Sequence, residues 1–91
     1  MNNVYFTYGT DKQYPFQGGW SLVIAESFET ALMLFDSYHP RRENGCINCA
    51  FIYNEDEFYK SGMAEKGNFG AKCHEIIKVV HIPITKKGEQ K

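Results

Sequence analysis

No apolar run in this sequence approaches the roughly 20 residues that a membrane-crossing helix needs. Proline occurs 3 times and tryptophan once in 91 residues, and neither sign of charge dominates, with 10 Lys and Arg against 11 Asp and Glu. Nucleic-acid binding requires clustered cations that displace counterions from phosphates. Only Arg41-Arg42 and the tail pair Lys86-Lys87 come near that, so nucleic acid is not an expected partner. The cysteine count of 3 (Cys46, Cys49, Cys73) is odd, which argues against a secreted disulfide framework. Met1-Asn2-Asn3-Val4 has neither the basic nor the apolar region of a signal peptide. Together these features predict a soluble protein of a reducing cytoplasm.

What is abundant is aromatic: 7 Phe and 6 Tyr join the single Trp, or 15% of the chain. A domain this small buries only about 60–65% of its unfolded surface. Some rings are therefore expected outside, where they serve recognition. The rest of the composition, 43% apolar and 23% charged, is that of a globular chain.

Hydrophobic periodicity outlines an α+β domain over residues 1–84, with a flexible polar tail at 85–91. Val4 to Tyr8 reads as a first strand with Val4, Phe6 and Tyr8 on one face. Trp20 to Ala25 is a second strand. Ser27 caps a helix from Phe28 to Tyr38, whose apolar stripe is Phe28, Ala31, Leu32, Phe35 and Tyr38, and Pro40 follows. Ile47 to Tyr53 reads as a third strand, placed centrally because both its faces are apolar. Asn54 and Glu57 have capping-box spacing ahead of a short helix that Gly62 ends in the left-handed conformation. Met63 to Lys72 reads as irregular, and Glu75 to Ile82 as the last strand. The expected order is β-β-α-β-α-β, a small, mainly antiparallel sheet with one long helix across a face.

Candidate chemistry is thin. Cys46, Cys49, Cys73 and His74 have half the look of a zinc site. Adjacent residues of a strand point to opposite faces, however, so the second pair fits poorly and no metal or cofactor is expected. A Cys–His dyad with His39, His74 or His81 has no local signature, and P-loop, nucleophile-elbow and His-Glu-x-x-His motifs are absent from the sequence.

The loops say more. Tyr14-Pro15-Phe16-Gln17-Gly18-Gly19-Trp20 and Gly67-Asn68-Phe69-Gly70 hold rings between glycines, whereas a plain connector is short and polar. Such loops suit a lid over a ligand or an anchor in a partner's pocket. The bland alternative is that Phe16, Trp20 and Phe69 fold back to complete the core. Asn48, between apolar neighbours, also needs a partner for its amide. The expected binding residues are Tyr8, Thr10, Asp11, Phe16, Gln17, Gly18, Gly19, Trp20, Asn48, Gly67, Asn68, Phe69, Gly70 and His74.

Two resemblances bear on function. The run Tyr5 to Asp11, then Phe16 to Trp20, Asn48-Cys49-Ala50, Gly67 to Gly70 and Cys73-His74-Glu75 resemble a group of small proteins of phages and prophages of Gram-positive bacteria. That group has no assigned activity. The resemblance implies a phage accessory protein that binds a host protein, such as a defence protein, in a stoichiometric complex. An alternative implication is a sponge that sequesters an anionic nucleotide signal. Separately, Phe6-Thr7-Tyr8-Gly9-Thr10 is similar to the Tyr-Gly-Thr turn of γ-glutamylcyclotransferase-like domains. That likeness implies a small enzyme with substrate on backbone amides and a distant Glu as acid/base. Asp11 replaces an apolar residue of that pattern, and the chain is short for it. A homodimer that covers surplus rings also suits the composition.

Overall fold

The computed structural model describes residues 1–79. Four strands, β1 (Asn2–Thr7), β2 (Trp20–Ala25), β3 (Phe51–Asn54) and β4 (Cys73–Lys78), form one sheet in the order β3-β1-β2-β4. β1 runs antiparallel to β2 and β3, whereas β2 and β4 are parallel, so the sheet is mixed. Three helices accompany it: α1 (Phe28–Tyr38), α2 (Glu55–Lys60) and α3 (Met63–Lys66). The α+β class stands. The expected order lacked α3, and helices cover both faces of the sheet, not one.

The reason lies in β1. Val4 to Tyr8 are all buried, although a strand turns alternate residues to opposite sides. Both sides must therefore be covered. On one, Val4, Phe6, Tyr8, Val23, Ala25 and Ile77 pack against Ala31 and Phe35 of α1. Phe6 and Phe35 stack with ring centroids 4.2 Å apart. On the other, Tyr5 and Trp20 meet Phe58 of α2 and Met63 of α3. Phe58 stacks on Tyr5 at 3.8 Å and meets Trp20 edge-on at 4.7 Å.

Local chemistry fixes the helix ends. Ser27 accepts a hydrogen bond from the Thr30 amide at 3.1 Å, and the His39 amide closes α1 on the Phe35 carbonyl. Asn54 and Glu57 form the reciprocal capping box of α2, at 2.8 and 3.1 Å. Gly62, at φ +81, makes the left-handed turn between α2 and α3.

Two strands depart from expectation. β3 is four residues long and lies at the sheet edge, not its centre. The apolar Ile47 and Cys49 belong to the preceding loop, which tucks them against the α1-side core. β4 begins at Cys73 rather than Glu75. The remainder of the last expected strand, His81 and the tail from residue 85 lie outside the described residues.

Candidate functional site

The loop after β1 is closed at its neck by main-chain bonds from Tyr8 N to Gly19 O (3.0 Å) and from Gly18 N to Gly9 O (2.8 Å). The loop is cross-linked at its exposed side around Asp11, whose carboxylate accepts from the Gln13 amide at 2.9 Å and from Arg42 Nη2 at 3.2 Å. The Gln13 amide, and then Arg42, hold the Asp11 carboxyl below its usual range. Arg42 also lies over the Tyr14 ring, 4.7 Å from its centroid.

The loop before β4 is a two-residue turn. Asn68 and Ala71 exchange main-chain bonds of 2.8 and 3.1 Å around Phe69 and Gly70. Both central residues have positive φ, +49 and +80, as a type I′ turn demands. That turn favours Asn or Gly at its first central position. A side chain with a Cβ pays roughly 1–2 kcal/mol in the left-handed region. Phe69 nonetheless occupies it, 70% exposed.

The two loops are joined. Gly19 N donates to Asn68 O at 2.8 Å, Trp20 N to Lys72 O at 3.2 Å, and Asn68 Nδ2 to Tyr8 O at 2.8 Å. His74 Nε2 is 2.9 Å from Gly18 O. The approach is so close that a Cβ on Gly18 would lie 2.6 Å from Asn68 O, and one on Gly19 would lie 2.1 Å from Lys72 O. Gly18 and Gly19 are therefore required by backbone contact, with φ near +67 at both.

The expected site residues divide accordingly. Gly18, Gly19, Gly67, Asn68, Phe69 and His74 meet at this junction, with Gly70 open beside them. Thr10, Asp11 and Gln17 lie on the exposed outside of the first loop. Tyr8 and Trp20 are interior, on opposite faces of the sheet, and so do not present rings to a partner. Phe16 is half-buried, packed against the core and stacked on His74 at 4.4 Å. Asn48 sits apart, near Arg42 Nε at 3.4 Å. Phe69 is thus the one ring of the two loops that is fully on display.

Beneath Phe16 runs a polar chain that sequence reading missed. A bulge in the β2–β4 pairing shifts the register from Trp20–Cys73 to Ser21–Glu75. His74 is the extra residue and turns to Gly18, while Glu75 turns to the α1 side. Ser21 Oγ donates to Glu75 Oε2 at 2.5 Å, which leaves Tyr8 to donate its hydroxyl hydrogen to Ser21, also at 2.5 Å. His39, the C-cap that follows α1, places Nε2 2.6 Å from the same Glu75 oxygen. The chain ties β2, β4 and the residues that follow β1 and α1 through one carboxylate, with Tyr8 and Ser21 buried and the His39 and Glu75 side chains 17% and 23% exposed. Only the polar Ser21 inside an apolar strand and Glu75 in an inward register position could have signalled it.

Burial sets the titration of the interior. It raises the Tyr5 hydroxyl from 10 to about 12, helped by the bond and charge of Tyr59. It raises the Cys49 thiol from 9 to about 12, with the Asp36 charge second. Burial also raises the Tyr8 hydroxyl, against the Ser21 bond. Each group is held neutral more firmly in the folded chain, so its stabilisation is complete below the unfolded value and lost as pH climbs toward the folded one. The melting temperature is expected to fall steeply between pH 9 and 12. Tyrosinate absorbance of Tyr5 and Tyr8 should appear only as the fold opens. Titration of all 6 tyrosines near pH 10 in a still-folded protein would contradict this burial.

Among the described residues no group of three His, Cys, Asp or Glu side chains could hold a metal ion. Cys49 is buried while Cys46 and Cys73 are exposed. No described helix is long and apolar enough to cross a membrane. A hollow of about 690 Å³ lies at the other end of the sheet, lined by Asn2, Glu26, Phe28 and Glu55 among others, away from the joined loops. A scan against protein-family models, a search of curated proteins and a search of solved structures each return no match.

Proposed function

We propose that this chain is a non-enzymatic, phage-type accessory protein. It binds a host protein stoichiometrically in the host cytoplasm, with Phe69 as the anchor of the binding surface. A host defence protein is the kind of target that the resemblance to phage proteins suggests. The observation that carries the reading is Phe69 itself: a large apolar ring, 70% exposed, in a left-handed turn position that disfavours it. Folding gains nothing from that choice, whereas a partner's pocket gains a rigidly presented ring. Its base is stiffened by main-chain bonds to the first loop.

The test is the variant Phe69→Asn, which gives the turn the Asn-Gly pair it favours. Stability is expected to rise by up to about 1 kcal/mol. Recovery of partner from host lysate, quantified by mass spectrometry, is expected to fall roughly 30-fold, as for a 2 kcal/mol anchor. Undiminished recovery by this more stable variant would remove Phe69 from the surface.

A further inference from the structure

We infer that Asn44 is a site of covalent self-modification, at which the Gly45 main-chain nitrogen attacks the Asn44 side-chain amide and converts it to an acid that loosens the Arg42 clamp on the first loop. Arg42 to Cys46 form a surface hairpin turn, with Gly45 N donating to Arg42 O at 2.8 Å and Arg42 N to Cys46 O at 3.0 Å. This is a type I turn closed by a left-handed residue, Gly45 at φ +85. At its tip the Cys46 amide donates to Asn44 Oδ1 at 3.0 Å.

That last bond bears on reactivity. Attack on the Asn44 carbonyl carbon throws negative charge onto Oδ1, and a donor already aimed at that oxygen stabilises the charge as it develops. The nucleophile belongs to a glycine, so no β-carbon crowds it, and nothing lies within 4 Å of where one would stand. Asn44, Gly45 and Cys46 are exposed, which admits the water and base that the reaction uses. The Gly45 N–H must first leave Arg42 O, a local opening of a surface turn that does not disturb the core. The remaining asparagines lack this combination. None of them precedes a glycine, and Asn54 and Asn68 hold their side chains in bonds to Glu57 N and Tyr8 O.

In the first step a solvent base removes the Gly45 amide proton, the Gly45 N–Cγ bond forms and the Cγ–Nδ2 bond breaks, with the nitrogen leaving as ammonia after protonation by water. A cyclic imide remains. Water then opens it at either carbonyl, giving aspartate or an isoaspartate whose main chain runs through the former side chain. No oxidant or reductant enters, and the net change is one water taken up and one ammonia released. The new carboxylate competes for Arg42, which otherwise holds Asp11 at 3.2 Å and lies over the Tyr14 ring. The isoaspartate also lengthens the turn that aims Arg42. The role of Phe69 is independent of this site.

Peptide mapping by mass spectrometry, during incubation of the full chain in warm, mildly alkaline buffer, tests the inference. Asn44 is expected to convert to the acid, in aspartate and isoaspartate forms, while the other asparagines keep their amides. Gly45→Ala, which adds a β-carbon beside the nucleophile, should slow the conversion roughly tenfold. In the converted protein the Tyr14 amide, bonded to Asp11 O at 3.1 Å, should exchange roughly tenfold faster as its loop loses Arg42. An Asn44 amide that outlasts those of the other asparagines would overturn the site, as would Gly45→Ala converting at the wild-type rate. Tyr14 exchange left unchanged by conversion would overturn the link to the first loop.

Discussion

Gly19→Ala is expected to destabilise the domain by roughly 4–7 kcal/mol. The sum combines left-handed strain of about 1–2, overpacking of about 1–3 and two lost main-chain bonds of about 1 each. The added methyl carbon would sit 2.1 Å from the Lys72 carbonyl oxygen, which is backbone and cannot swing away. To relieve it, the two loops must part and break the Gly19–Asn68 and Trp20–Lys72 bonds. A domain of this size has a total stability of about 5–15 kcal/mol, so much of the protein would unfold at modest urea. Gly45→Ala supplies the control. Gly45 also has positive φ, +85, but nothing lies within 4 Å of its added carbon. Only the strain remains, about 1 kcal/mol. Urea midpoints for the two variants should differ several-fold in their displacement from wild type. Equal displacements would mean that the loops are not in contact.

Phe58→Ala should be nearly as damaging, at about 3–5 kcal/mol. Phe58 is buried against Tyr5 and Trp20 and is the principal ring that α2 sends to the sheet. Its loss removes apolar contact and leaves a cavity between two layers. The size of the effect is a direct reading of whether the second face is covered. Were that face open to water, the same substitution would cost well under 1 kcal/mol, as is expected for the exposed Met33→Ala on α1. Thermal unfolding of the two variants side by side separates the possibilities.

The elements legible in the sequence were those whose signals are local. The Phe28–Tyr38 stripe, the Ser27 cap and the Asn54–Glu57 box each lie within a few residues and form as spaced. Trp20–Ala25 likewise keeps its expected bounds. What failed depended on tertiary context. Ile47 and Cys49 have strand-like apolarity, yet they serve a loop that fills the core, so β3 shrank and moved to the edge. Met63–Lys66 is a single helical turn between two glycines, too short for periodicity to register. Its purpose, placing Met63 beside Phe58, becomes visible only once the second face exists.

The site divides in the same way. Gly18 and Gly19 were expected as binding residues, whereas the structure holds them by close contact with the backbone of the second loop, a long-range approach that no local signal announces. The rings were harder to assign. Phe16, Trp20 and Phe69 carry similar local signals but end half-buried, buried and exposed, since exposure depends on which neighbours arrive from distant sequence. The Tyr8–Ser21–Glu75–His39 chain was illegible for the same reason. Its members come from four stretches of the chain, and a single-residue bulge decides that Glu75, not His74, faces Ser21.

Amide hydrogen exchange at Gly19 and Trp20 tests most directly whether the two loops form one stiff surface. Both amides are spent on bonds to the second loop and its exit, Gly19 to Asn68 and Trp20 to Lys72. They are predicted to exchange as slowly as the amides of β1, opening only with the whole domain. Exchange at the rate of a free glycine-rich loop would contradict the account and leave Phe69 on an unsupported turn.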